Sequence, residues 1–331
     1  MRAGGLGRKN ISSATKAKPK EIEAISIFRI MPGTYPAQRR IGVFMADFLV
    51  RTPDHLGDGV MALPAIEAIA KVGTVQLVGP SWVERLYAGI HDNRIGQPDT
   101  AILFKPSFSA AWKVRHLRRR VGHRGHHRRW LLTEALIPSD GHRMDGYAAL
   151  ARAVDATVHG PPSFNTTEQE RAAVHDIPEN SVLLLPLSKS QRTVGWQHFR
   201  RLADNLSGRA IFAAGPGECE TLKTIAGPHM TLPPLDIGTF AAVAQRVDHV
   251  VGNDSGLAHL AAAARHAFER DPRTVHVIFG STSPTHTGPF GCTPHQTAQL
   301  ACQPCYKKRC NIAAQPPCLD VPVSAIEEAL A

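Results

Sequence analysis

The stretch VVGNDSGLAHLAAAA, Val250 to Ala264, gathers an amide, a carboxyl, a hydroxyl, two glycines and a histidine around one helix start. The free N–H groups and the dipole of a helix start favour an anion. Ser255 adds a hydroxyl, and Gly256 removes a side chain that would block approach. His259 lies four residues beyond Ser255, on the same helix face, and can donate to a phosphate or a sugar hydroxyl. The same residues also read as plain capping by Asp254 or Ser255 beside a packed histidine, and on this segment alone both readings stand.

Two other loops have chemistry-bearing residues. In LGDGVMALPAI, Leu56 to Ile66, Asp58 sits between Gly57 and Gly59. A carboxylate there can serve as general base for a hydroxyl, or as the N-cap of the helix that follows. In VIFGSTSPTHTGPFG, Val277 to Gly291, Gly280 and the hydroxyls of Ser281, Thr282 and Ser283 follow a strand. In a parallel sheet this loop lies beside the Asp254–Ser255 turn, and two such loops cradle a diphosphate better than one. A fourth stretch, AAGPGECE (Ala213–Glu220), lacks the third glycine of a dinucleotide fingerprint and reads as a strand–turn–helix connection.

The elements that must position these loops alternate along the chain. Strands are predicted at Ile41–Val50, in TVQLVG and in TAILF, with a helix after the Asp58 loop. After Pro161-Pro162 the alternation restarts with strands at Ser181–Leu187, in RAIFAAG and in HVVG, and a last one at Thr274–Gly280. Helices are predicted in GWQHFRRLADNLSG, ECETLKTIAG, DIGTFAAVAQRV and SGLAHLAAAA. Such alternation implies α/β architecture with parallel sheets, here twice over. The expected division is a basic leader at 1–40, an N-terminal Rossmann-like domain at 41–162 and a C-terminal one at 163–331.

The chain has 331 residues, a net charge of +10 and 43% hydrophobic residues, a globular composition. The charge is uneven. Residues 1–40 hold nine Lys/Arg against Glu21 and Glu23, and Lys113 to Arg129 hold eight with no acid, which leaves the rest acidic on balance. These segments suit anionic partners. The second also reads as a solvated amphipathic helix. Only Trp112 and Trp130 flank it, so no nucleic-acid partner is expected. No apolar run is long enough for a membrane span, and the N-terminus has no apolar core of a secretory signal, so a cytoplasmic protein is expected.

LGDGVMALPAIEAI, GNDSGLAHLAAA and FGSTSPTHTGPFG, in that order and spacing, resemble the pattern of glycosyltransferase family 9, the heptosyltransferases of lipopolysaccharide core assembly. Ser107 to Leu136 resembles the acceptor-side segment of the second heptosyltransferase type. The resemblance runs from about residue 41 to the end. It implies a GT-B fold, two Rossmann-like domains facing a cleft. It implies an inverting transferase that moves a heptose or related sugar from a nucleotide-diphosphate sugar, typically ADP-heptose, to a lipopolysaccharide core or other cell-envelope glycan, without a catalytic metal. Carried over by position, Asp58 is the base, and Asn253, Asp254, Ser255, Gly256, His259 and Ser281 hold the donor. Ser107, Arg120, Arg124 and Arg128 would meet an anionic acceptor, with peripheral association at the inner membrane. A different sugar in capsule or exopolysaccharide synthesis, or a degenerate non-catalytic binding protein, are the alternatives. One departure stands out: Val194 occupies the position of the family's lysine two residues before Trp196, leaving Lys189 or Arg192 to supply that charge. The long link ARHAFERDPRTVH is a second departure, expected to bear on the nucleotide pocket.

Cys302, Cys305, Cys310 and Cys318 follow a C-x2-C-x4-C-x7-C spacing. In a cytosolic chain this spacing favours metal over disulfides, and four thiolates suit a structural zinc; reduced thiols packed in a loop are the alternative.

Overall fold

A computed structural model describes residues 46–90, 97–188, 195–297, 300–307 and 309–331. The leader and residues 41–45 of the first predicted strand lie outside them, as do Lys189, Arg192 and Val194.

The described residues build two all-parallel sheets. The first has five strands, β1 (Ala46–Arg51), β2 (Gly73–Val78), β3 (Thr100–Leu103), β4 (Arg119–His123) and β5 (Glu134–Leu136), in the order β2-β1-β3-β4-β5. The second has six, β6 (Val182–Leu185), β7 (Ala210–Phe212), β8 (Met230–Thr231), β9 (His249–Asn253), β10 (Val275–Ile278) and β11 (Thr293–His295), in the order β11-β10-β9-β6-β7-β8. The helices are α1 (Leu56–Val72), α2 (Val83–Leu86), α3 (Phe108–Lys113), α4 (Arg143–Arg152), α5 (Glu168–Ala172), α6 (Phe199–Asn205), α7 (Cys219–Ala226), α8 (Ile237–Arg246), α9 (Gly256–Ala267), α10 (Pro284–Thr287) and α11 (Val323–Ala329).

Strand order dictates where ligands bind. In each sheet the chain first moves to one side, then returns to the other side of its opening strand. The reversal lies between β1 and β3 in the first sheet and between β6 and β9 in the second. A crevice opens beyond the carboxyl ends of strands at such a point. Asp58 follows β1, and Asp254 follows β9.

Two helices carry these positions into the core. Helix α1 is buried on most sides, from Gly57 to Ile69, and tolerates Pro64 in its interior. Helix α9 buries Ala258 to Arg265, and its alanine run allows close approach of α8 and α1. One hydrophobic cluster runs through α1, α4, α8 and α9 and touches both sheets, through Val50 and Ile102 on one side and Val250 and Val277 on the other. Fully buried Arg265 ties α9 to the end of α8, donating to the carbonyls of Ala244, Val247 and Asp248 and to the Thr274 hydroxyl.

Three features differ from expectation. The arginine-rich segment is not one solvated helix: Arg119–His123 is the interior strand β4, and Arg119 pairs with Glu134 on the next strand. Thr274–Gly280 does not hold the last strand, because β11 adds to its edge, and its Pro294 is tolerated there. The long link is partly α9 itself and then a turn at Pro272–Thr274 leading into β10. It sits at the amino ends of the strands, opposite to the Asp254 edge, and so does not shape that pocket.

Candidate active site

Both reversal points deliver a helix N-terminus to the same place. A β-carbon on Gly256 would stand 2.9 Å from Cβ of Leu56 and 3.0 Å from the Gly57 nitrogen. A β-carbon on Gly57 would stand 2.9 Å from Cδ2 of His259. The starts of α1 and α9 therefore touch, and glycine at both positions is what lets them do so.

Each helix start has unpaired donors. His55 precedes α1 and makes no side-chain cap, so the first-turn amides of α1 lack that partner. The Asp58 capping reading is thereby corrected: Asp58 is the third helical residue and its carboxylate faces elsewhere. At α9 the Ser255 hydroxyl caps the amide of Ala258 at 3.3 Å, and the Ser255 carbonyl takes His259 N–H at 3.2 Å. Gly256 and Leu257 keep N–H groups without an intrahelical carbonyl. Two positive helix ends meeting at one point form a seat for a di-anion.

Asp58 is held from α4. Arg143 Nη1 donates to its Oδ1 at 2.9 Å, and the Tyr147 hydroxyl donates to the same oxygen at 3.2 Å. Among the described residues no hydrogen bond reaches Oδ2. Burial and the adjoining Asp58 charge push the Tyr147 phenol well above its ordinary value, so it stays a donor. Loss of solvent opposes the Arg143 charge, but the Asp58 carboxylate outweighs it and holds the guanidinium above its usual value. The arrangement fixes one carboxylate oxygen and leaves the other to accept a proton.

On the other side, Asp254 Oδ1 lies 3.8 Å from Nε2 of His259, both side chains buried. The Ser188 hydroxyl donates to the Asp254 carbonyl at 2.7 Å. Asn253 is fully buried and both ends of its amide are used: Nδ2 donates to the Pro186 carbonyl at 2.6 Å, and Oδ1 accepts from Trp196 N–H at 3.2 Å. Asn253 thus clamps the two ends of the loop after β6. Ser281 lies on the loop after β10, where its carbonyl takes Tyr306 N–H at 2.9 Å. Next to it the Thr282 hydroxyl is buried without a hydrogen-bond partner among the described residues. A buried hydroxyl of this kind calls for an explanation, and a ligand oxygen supplies one.

Four residues that sequence reasoning missed lie at this site, and one of them, His142, joins the halves. His142 caps α4 with Nδ1 accepting from Met144 N–H, while Nε2 donates to the Gly288 carbonyl of the second half at 3.0 Å. That pattern is the neutral tautomer, and burial lowers its pKa accordingly. Tyr306 hydrogen-bonds His286 at 2.9 Å, and its phenol, raised by burial, feels both Arg143 and Asp254. Arg143 and Tyr147 share a helix face at i,i+4 in HRMDGY, which is the signal that was there to be read.

The expected acceptor residues fare differently. Arg128 is fully buried, donating to the carbonyls of His123 and Lys105. Arg120 spends its guanidinium on the carbonyls of Leu131 and Leu117. Ser107 is the N-cap of α3, accepting from Ala110 N–H. The hydrogen bonds of these three hold the first half together. Arg124 is exposed.

The four clustered cysteines line one hollow together with Ser281 and Gln303. They are free thiols, and among the described residues no three His, Cys, Asp or Glu side chains are placed to hold a metal ion. The zinc expected from their spacing thus finds no ligand set: Cys302 is exposed while Cys318 is buried, and the Cys310 sulfur accepts Ile312 N–H. Hydrogen bonds tie this loop down instead, with Gln303 Nε2 donating to the Gly280 carbonyl at 2.8 Å.

The profile of glycosyltransferase family 9 (heptosyltransferase) matches residues 91–314, a span that holds Asp254, His259 and Thr282 and stops short of Asp58. Among solved structures, ADP-heptose lipopolysaccharide heptosyltransferase II of E. coli is 18% identical with a TM-score of 0.67, over 86% of this chain and 97% of that one. A family 9 glycosyltransferase from Veillonella parvula is 18% identical with a TM-score of 0.60, over 76% and 85%. E. coli heptosyltransferase WaaC with ADP is 18% identical with a TM-score of 0.56, over 85% and 98%. No curated protein matches the chain. The two parallel sheets are those of the GT-B fold. With more than half of its length matched by the family profile, the chain belongs to glycosyltransferase family 9, the heptosyltransferase family, and is a glycosyltransferase.

Proposed function

We propose that this chain transfers a heptose or related sugar from a nucleoside-diphosphate sugar to a hydroxyl of a lipopolysaccharide core or similar cell-envelope glycan, with inversion. The observation that carries this reading is the meeting of the start of α1, which holds Asp58, with the N-terminus of α9. Solved relatives hold ADP and ADP-2-deoxy-2-fluoro heptose, which favours ADP-heptose as donor. The half with Asp58, 41–162, takes the acceptor, and 163–331 takes the donor, in the cytoplasm.

Oδ2 of Asp58 removes the proton from the acceptor hydroxyl. Its oxygen attacks the anomeric carbon from the face opposite the diphosphate. The carbon–oxygen bond to the diphosphate breaks, and its electron pair leaves with the nucleoside diphosphate. The Gly256 and Leu257 amides, the Thr282 hydroxyl and His259 receive that growing charge, which is where fixed donors act most strongly. Ser281, with Lys189 and Arg192, belongs to the same donor side. The step as drawn uses no metal or organic cofactor.

Calorimetry of the purified chain against ADP-, UDP- and GDP-sugars tests the donor seat. Selective binding of an ADP-sugar, weakened about tenfold in Ser255→Ala and in Thr282→Val, supports the reading. Equal affinity for all three, indifferent to both substitutions, contradicts it. Selective binding of a UDP- or GDP-sugar instead would identify a different donor, in keeping with Val194 at the family's lysine position.

A further inference from the structure

Three aromatic rings stand exposed together on the first half. Phe108 and Trp112 of α3 and Trp130 of the turn after β4 are 41%, 44% and 67% exposed. Their ring centroids lie 6.1, 6.0 and 6.5 Å apart, Phe108 to Trp112, Phe108 to Trp130 and Trp112 to Trp130. Scattered exposed apolar residues are ordinary, but a contiguous aromatic triad with two tryptophans marks an interaction site. It does not serve the core, because Ala110, Ala111 and Leu131 fill that role from the same segments.

Exposed cations share these segments with the triad. Arg115 lies over the Trp112 ring, its guanidinium carbon 4.3 Å from the ring centroid. Lys113, Arg115, Arg118, Arg124 and Arg129 are exposed, whereas Arg119, Arg120 and Arg128 are taken up inside. From Phe104 to Thr133 the chain holds no Asp, Glu, Asn or Gln. An aromatic platform for sugars needs carboxylates or amides beside it to take hydroxyl hydrogens, and none is present in this stretch. What fits is a surface that is anionic outside and apolar beneath. Tryptophan settles at the headgroup level of a bilayer, and arginine is drawn to anionic lipid.

We propose that Phe108, Trp112 and Trp130, with Arg115, Arg124 and Arg129, form a docking face for an anionic phospholipid bilayer. The rings enter the headgroup layer and the cations meet lipid phosphates around them. The face lies where catalysis needs it. Helix α3 begins beyond the carboxyl end of β3, and Trp130 follows β4. These strands are parallel to β1, whose carboxyl end leads to Asp58. Docking at this edge would present a glycolipid acceptor to Asp58. That orientation rests on the transferase reading above; the docking does not.

The test is vesicle co-sedimentation of the full chain, without donor or acceptor, so it stands or falls apart from transferase activity. Vesicles of phosphatidylcholine with about one third phosphatidylglycerol should bind the chain at least tenfold more tightly than phosphatidylcholine alone. Binding should weaken severalfold at high salt. The double variant W112S/W130S should lose at least tenfold while keeping its thermal transition. The basic leader is common to both chains, so that difference belongs to the rings. Should the variant unfold, fluorescence of the Trp82→Phe chain with brominated lipid decides: quenching supports insertion of Trp112 and Trp130, because the remaining Trp196 is buried. Unchanged vesicle binding by a folded W112S/W130S, or no quenching, overturns the proposal. So does a variant that loses single-stranded oligonucleotide binding while its vesicle binding is intact.

Discussion

Gly57 and His259 share one contact: a β-carbon at residue 57 would lie 2.9 Å from Cδ2 of the imidazole. The first turn after the first strand of one sheet thus sets the position of a side chain that belongs to the other sheet. Asp58 and the Ser255 turn are held by one construction, because the starts of α1 and α9 touch.

Gly57→Ala should therefore damage the donor side from the acceptor side. The added methyl must displace His259, at a cost of about 1–3 kcal/mol for overpacking. Thermal unfolding should show that loss, and calorimetry should show weaker nucleotide-sugar binding. Normal donor affinity in the variant would mean that His259 does not touch the donor.

Tyr147→Phe removes a hydroxyl that donates to Asp58 Oδ1 at 3.2 Å. A hydrogen bond to a charged group contributes about 1.5–3 kcal/mol, so kcat should fall by roughly tenfold to a hundredfold. Donor affinity should hold, since Tyr147 lies on α4 and away from α9. Steady-state kinetics beside donor calorimetry checks the split.

Three imidazoles form a chain across the second sheet. His249 and His276 meet at 3.1 Å, and His276 and His295 at 3.1 Å. Burial, then the neighbouring imidazoles, drives His276 down to about 3; burial lowers His249 and His295 as well. Above pH ~6.5 the imidazole is neutral in both folded and unfolded chains. Below it, only the unfolded chain takes up the proton, so stability falls as pH drops and keeps falling to about 3. At about 1.4 kcal/mol per pH unit, going from pH 7 to 5 should cost about 2 kcal/mol through His276. Urea titrations at both pH values should show this loss, and His276→Gln should remove much of it.

Thiol reactivity should follow local electrostatics in the free-thiol cluster. Backbone N–H groups of Ala313 and Ile312 lower the pKa of the half-buried Cys310, whereas burial and Asp254 push Cys292 up to about 12. Iodoacetamide at neutral pH should label Cys310 first and Cys292 last. Joint protection of Cys302, Cys305, Cys310 and Cys318, released by a chelator, would show instead that the four hold a metal.

The alternation of apolar runs with helical stretches made both sheets legible, because buried parallel strands must be continuously apolar. Strand β4 was not legible: its arginines read as a solvated face, and only the partner Glu134 and the carbonyls that take Arg120 show why they sit in a sheet. Asp58 and the Ser255 helix start could be picked from spacing. The partners of Asp58 were missed, because the i,i+4 spacing of Arg143 and Tyr147 sets them on one helix face without saying which carboxylate they meet. Asn253 had the composition of a ligand residue, but only its two buried hydrogen bonds reveal a clamp.

The most direct measurement is transfer by Asp58→Asn, with donor affinity measured on the same protein. The substitution keeps shape and removes the base. A proton-accepting Asp58 predicts that kcat falls by about 10²–10⁴, with donor affinity within twofold and the thermal transition close to wild type. Activity near wild type, or loss of donor binding in step with kcat, would contradict Asp58 as the base and leave it as a partner of Arg143.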